Sequence, residues 1–192
     1  MKRILVIGET PLASTRYGLL SRDISYHLHA KGYAVACLGF GYSGWPYKAP
    51  YIQYPVYPWM GPPAIPHNIG DVLDEWKPET LVLVGAPVLF GWLKEYPERN
   101  KYRIVLNTAF KSLPVNILMK ELYGIADIVV VNSRFEEKTL MDVSPELNIK
   151  FIPHGINTQN LRSSGMIPSD NSDHYGIACV AKDIPSIDFP AL

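Results

Sequence analysis

Asn132-Ser133-Arg134, followed by Phe135-Glu136-Glu137, sets an amide, a hydroxyl and a guanidinium side by side between an apolar run and a polar one. The run before them, Ile128-Val129-Val130-Val131, is four β-branched residues with polar neighbours. Such a run suits a strand covered on both faces, as in a parallel sheet. Ser133 with Glu136 three residues later makes the S-x-x-E capping box of a helix start. In open α/β sheets ligands gather outside the carboxyl ends of the strands, where helix N-termini favour anions. Asn132, Ser133 and Arg134 therefore stand at the kind of corner where such folds do chemistry. Ser133 has two readings, a cap alone or a cap beside a ligand. Ile152-Pro153-His154-Gly155-Ile156-Asn157 answers this corner with an imidazole and a glycine after a second short apolar run.

These residues need a sheet to hold them, and the chain supplies one in order. Ile4 to Ile7 reads as the first strand, and Gly8 to Arg16 as a polar loop that includes Thr15 and Arg16. Tyr17, Leu20, Ile24 and Leu28 have near-helical spacing, and Gly32 stops that helix. Tyr33 to Leu38 is a second strand. Ile69 to Trp76 reads as a short helix, Thr80 to Val84 as a third strand, and Val88 to Glu95 as helical. A fourth strand, Tyr102 to Leu106, carries Asn107-Thr108-Ala109-Phe110-Lys111 at its carboxyl end. Pro114 to Tyr123 gives another helix, Ile128 to Val131 the expected central strand, and Lys150 to Ile152 a short final one. Alternation of this kind predicts a doubly wound α/β fold, a mainly parallel sheet with helices on both faces.

Gly39-Phe40-Gly41-Tyr42-Ser43-Gly44 is a literal G-x-G-x-x-G, yet it is no dinucleotide fingerprint. Trp45-Pro46-Tyr47-Lys48-Ala49-Pro50 follows and cannot open the helix whose N-terminus would hold the phosphate. From Gly44 to Pro66 the chain is rich in Pro, Tyr and Trp, which reads as extended loop with a short edge strand at Tyr51 to Tyr57. That aromatic stretch either packs around the sheet edge or forms a binding wall.

Composition narrows the classes. The 192 residues are 47% hydrophobic and 19% charged, enough for a packed core. Eighteen basic and eighteen acidic residues cancel, so nothing suggests a nucleic-acid groove or an anionic membrane surface. The apolar run after Met1-Lys2-Arg3 is too short for a signal peptide, and no stretch approaches a membrane span. Cys37 and Cys179 lie in apolar runs and read as buried free thiols, which with the missing signal peptide predicts a cytoplasmic protein. His27 and His29 are two apart on a helix and point apart, so no metal site is expected.

The character of the chain changes late. Residues 1–158 make the Rossmann-like domain, and 159–175 have the Ser, Gly, Pro, Asn and Asp content of a linker. Residues 176–192 open a new strand at Gly176-Ile177-Ala178-Cys179-Val180-Ala181, the start of a truncated second domain or an extra strand of the first sheet.

Three stretches carry a resemblance. Lys31-Gly32-Tyr33-Ala34-Val35 resembles an "L-x-x-x-G-H-x-V" opening. Ile125 to Phe135 resembles an "A-D-x-V-V-V-x-S-x-F" element, and Phe151 to Asn157 a "V-I-P-N/H-G-I-D" element. In this order they are similar to the amino-terminal, acceptor-side half of GT-B glycosyltransferases, in the large retaining family that includes glycogen synthases and mannosyltransferases. The resemblance covers nearly the whole chain. It implies a nucleotide-sugar donor as substrate rather than a cofactor, an acceptor small molecule or glycan, and retention of configuration. It implies that Arg16, in the loop after the first strand, meets a phosphate, with Thr15 next to it a substrate contact. Asn107 and Lys111 become substrate contacts, Asn132, Ser133 and Arg134 line the cleft, and His154 and Gly155 turn the chain into it.

Departures from the family pattern matter. The loop Glu9 to Arg16 lacks a Gly-Gly pair, and the place past the fourth strand, where many members carry His or Asp-Gly, reads Asn107 to Lys111. The catalytic group is therefore unassigned. The family's Arg-Lys pair and E-x7-E element belong to the second domain, so these 192 residues alone are expected to transfer no sugar. A non-catalytic glycan- or partner-binding module is the competing expectation. An isolated first domain also exposes its cleft wall, which predicts self-association or a partner chain.

Overall fold

The computed structural model describes residues 1–47, 49–62, 66–109 and 117–155. Met1–His154 is one compact unit; of the other, Gly155–Leu192, only Gly155 is described. The expected linker, the strand from Gly176 and Cys179 lie outside the described residues, as do Lys111, Pro114, Ile156 and Asn157.

Among the described residues seven parallel strands form the sheet: β1 (Arg3–Glu9), β2 (Ala34–Phe40), β3 (Val56–Pro58), β4 (Thr80–Val84), β5 (Arg103–Asn107), β6 (Ile128–Val131) and β7 (Ile149–Phe151). Their order is β3-β2-β1-β4-β5-β6-β7. The chain winds outward from β1 to β3, then returns to β4 and winds the other way. The switch point thus falls between β1 and β4, where such folds keep their ligand crevice. The doubly wound α/β fold is as expected. β6 is not the central strand, however, but the second from the edge. Its Val129 and Val131 are still buried because β7 flanks them and helix α4 (Arg134–Val143) covers them, so burial alone could not rank the strands.

Helices occupy both faces unequally. One face packs α2 (Ile69–Trp76), the 3₁₀ helix Pro87–Lys94, α3 (Ile117–Tyr123) and α4 over Leu5, Leu83, Leu106 and Val131. Among the described residues α1 (Arg16–Ala30) is the one helix on the other, laying Leu20, Ile24 and Leu28 on Val6, Val35 and Val82, with Tyr54 and Ile52 packed into the same cluster. Right-handed crossovers explain this, because every step from β3 to β7 runs in one direction, while β1 to β2 and β2 to β3 run back and α1 is the helix described on those two steps. The segment read as helix from Val88 is 3₁₀, entered at Pro87 and ending at Lys94. Of the expected edge strand only Val56–Pro58 pairs, and its proline suits an outermost position.

The ends of α1 follow local rules. Thr15 Oγ1 accepts the Gly18 N–H at 3.2 Å, so the helix starts at Arg16. At the other end Gly32 adopts φ +85°, Tyr33 N–H reaches Leu28 O at 3.2 Å, and Gly32 N–H reaches His29 O at 2.9 Å. That is the paired bonding of a Schellman stop.

Candidate functional site

The carboxyl ends of β6 and β7 and the N-termini of α1 and α4 meet at one corner of the sheet. Ser133 Oγ accepts Glu136 N–H at 3.1 Å, and Glu136 Oε2 accepts the main-chain N–H groups of both Asn132 and Ser133 at 3.0 Å. The expected capping box is complete. Glu136 is buried, so its carboxylate leans on these amides. Asn132 uses its side-chain amide to hold the Ile152 carbonyl at 3.0 Å, which ties the turn after β7 to the end of β6.

That turn brings His154 to Arg16, 138 residues away in sequence. Arg16 Nη2 donates to Nε2 of the neutral imidazole at 3.4 Å. Partial burial lowers the His154 pKa from its ordinary 6.5, the Arg16 charge lowers it further, and Glu136 opposes both. Tyr17 joins the same field. Burial raises its hydroxyl's pKa, with Arg16 pulling down and Glu136 pushing up. Arg134 turns to the edge of the sheet, its guanidinium 4.2 Å from the Phe151 ring centroid and 2.6 Å from Glu137 Oε2. Gly155 is exposed, with open space where a Cβ would stand.

The structure therefore sorts the expected residues. Arg16 and His154 come together, with Asn132 and Ser133 supporting the turn and the helix start beside them. Thr15 and Ser133 cap their helices with their hydroxyl oxygens. Asn107 sits apart, buried at the end of β5, where it borders an open groove of about 450 Å³ on the sheet face beside α1. Among the described residues its Oδ1 and the Thr108 Oγ1 have no hydrogen-bond partner. Sequence reasoning missed Tyr17 and the electrostatic weight of Glu136. Tyr17 reads as the first apolar residue of its helix, and Glu136 only as the capping-box partner of Ser133. Cys37 is a buried free thiol, its Sγ 3.0 Å from Ser25 Oγ and its pKa pushed up to about 12 by burial.

Chemically the corner offers one permanent cation, one imidazole able to become a second, and two helix N-termini. Among the described residues no group of His, Cys, Asp and Glu is placed to hold a metal ion, and no helix is long and apolar enough to cross a membrane. Because the fold favours neutral His154, that preference adds stability above pH 6.5 and is lost as pH falls through the lowered midpoint. The ring is expected to titrate below 6.5 by NMR, and Arg16→Ala to move the midpoint up. A wild-type midpoint at or above 6.5 would contradict the pairing.

No family model matches the chain, and no curated protein matches it. Among solved structures it is similar to sucrose-phosphate synthase from Thermosynechococcus elongatus, at TM-score 0.55 and 15% identity, covering 83% of this chain and 93% of that one. At that identity the likeness shows the fold alone, a Rossmann-like α/β fold with a parallel sheet.

Proposed function

We propose that this chain is the acceptor-side half of a GT-B glycosyltransferase, serving transfer of a sugar from a nucleotide-sugar donor to an acceptor. The observation that carries the reading is the Arg16–His154 pair, set between the N-termini of α1 and α4 at the carboxyl edge of the sheet. Sugar transfer releases a diphosphate, and the leaving oxygens need fixed positive charge. Arg16 supplies it at any pH. His154 supplies a second charge once it takes up a proton, and an arriving phosphate favours that uptake by attraction. Ser133 and Glu136 hold the start of α4, while Asn132 holds the turn that carries His154.

The test is an NMR titration of the ¹⁵N-labelled protein with uridine, guanosine and adenosine diphosphates at millimolar concentration. Shifts are expected at the amides of Thr15 to Gly18, Ser133 to Glu136 and His154, with tighter binding as pH falls from neutral. Arg16→Ala should weaken the best diphosphate by about tenfold, the loss of one charged hydrogen bond. Unmoved amides at this corner for all three would refute the reading.

A second reading, a non-catalytic glycan-binding module, is favoured by one observation. The end of β5 presents Asn107, Thr108 and Ala109, none of which transfers a proton near neutral pH. In that case neutral glycans bind while diphosphates leave the corner unchanged.

A further inference from the structure

The loop that leaves β2 has no part in the anion corner, yet it is built with care. Tyr42 N–H bonds Gly39 O at 3.3 Å, and the Tyr42 hydroxyl donates to Trp45 O at 3.0 Å, closing the loop on itself. Gly41 and Gly44 take φ of +82° and +89°, and a Cβ at Gly44 would stand 3.7 Å from Pro58 Cγ, so the loop rests against β3. The Tyr42 and Tyr47 rings meet edge to face, 5.7 Å apart. Trp45 beside them is 76% exposed. An anchored backbone that leaves its largest ring in water gains nothing from packing that ring within the chain.

We propose that Trp45, with Tyr42 and Tyr47, is a stacking platform for a neutral saccharide ring, the acceptor of the transferase reading on which this inference rests. Three observations select that partner. From Gly39 to Tyr47 the chain has no Lys, Arg, Asp or Glu, Lys48 being the next charge in the sequence, so the ring-bearing stretch itself complements an uncharged ligand. Flat ring faces suit the C–H faces of a sugar, and the Tyr47 hydroxyl suits its edge. The loop also neighbours the anion corner through the chain: Thr10 N–H bonds Phe40 O at 2.9 Å, and the segment from Thr10 runs directly to Thr15 and Arg16. A donor phosphate at Arg16 and an acceptor ring at Trp45 would occupy the same carboxyl edge of the sheet. An interfacial membrane anchor also uses Trp and Tyr, but it draws strength from basic residues that Gly39 to Tyr47 lacks.

The test uses the intact chain and a panel of neutral hexasaccharides built on glucose, mannose, galactose and N-acetylglucosamine. At least one is expected to shield tryptophan emission from acrylamide, since Trp45 is the most exposed of the four tryptophans. Trp45→Ala should weaken that sugar by about tenfold or more, as expected for a central aromatic anchor. Trp45→Tyr, which keeps a stacking face, should stay close to wild type. Binding by none of the panel, unchanged binding by Trp45→Ala, or Trp45-dependent sedimentation with phosphatidylcholine vesicles in place of sugar binding would each overturn the platform. The diphosphate titration separates the two ideas. Diphosphate binding without sugar binding removes the platform alone, whereas sugar binding without diphosphate binding upholds the platform and removes the transferase reading.

Discussion

Truncating Leu140 to alanine is expected to lower the free energy of unfolding by about 2–5 kcal/mol. Leu140 is fully buried, and with Glu136 it forms the buried face of α4 at i and i+4 spacing. Other α4 positions give little support, and Met141 next to it is 56% exposed. The loss of methyl groups costs their transfer energy, and the space left under α4 adds to it because the sheet cannot follow. Domains of this size hold a net stability of about 5–15 kcal/mol, so the substitution removes a large share. Urea unfolding should show a lower midpoint at an unchanged slope. Met141→Ala is the control, expected within about 0.5 kcal/mol of wild type. Equal midpoints for the two variants would mean that α4 does not pack as described, and the Ser133 corner would lose its support.

How much of this was open to a reader of the sequence depends on the range of the interaction. Thr80 to Val84 and Ile128 to Val131 stand at their expected bounds, because a run of buried residues between polar ones is a local signal. The capping box at Ser133 and the glycine stop at Gly32 are equally local. Strand order is not. Ile128 to Val131 has the same apolar character whether a strand lies central or next to a short edge, so its place had to come from the pairing itself. The uneven cover of the two faces is set by crossover handedness, which no single segment encodes. At the site, each half of the Arg16–His154 pair was legible as a candidate, but their meeting was not, since it requires β1 and β7 to lie in one sheet. Thr15 and Ser133 were legible as polar residues near helix starts, where one hydroxyl serves either a cap or a ligand. The hydrogen bonds show both hydroxyls capping their helices as acceptors, each keeping its own proton to donate.

Gly39→Ala is the second large effect, and it bears on the G-x-G-x-x-G pattern. A methyl group at Gly39 would lie 2.7 Å from Thr10 Cα and 2.9 Å from Thr10 Cβ, closer than non-bonded carbons approach. Thr10 is buried, and its N–H is fixed to Phe40 O, so it cannot step aside without moving the loop that leads to Arg16. Overpacking of this sort costs about 1–3 kcal/mol. The other two glycines of the pattern answer different needs: Gly41 and Gly44 have positive φ, in a conformation that costs other residues about 1–2 kcal/mol. Gly39 thus serves a close approach between β2 and the β1 loop, and Gly41 and Gly44 serve the turn of the aromatic loop. Nothing in these roles calls for a phosphate. In Gly39→Ala the urea midpoint should fall, and the NMR amide signals of Thr10 to Arg16 should move even without ligand. A dinucleotide turn would give the opposite result, a near-normal midpoint with nucleotide binding lost, and that outcome would restore the fingerprint reading at β2.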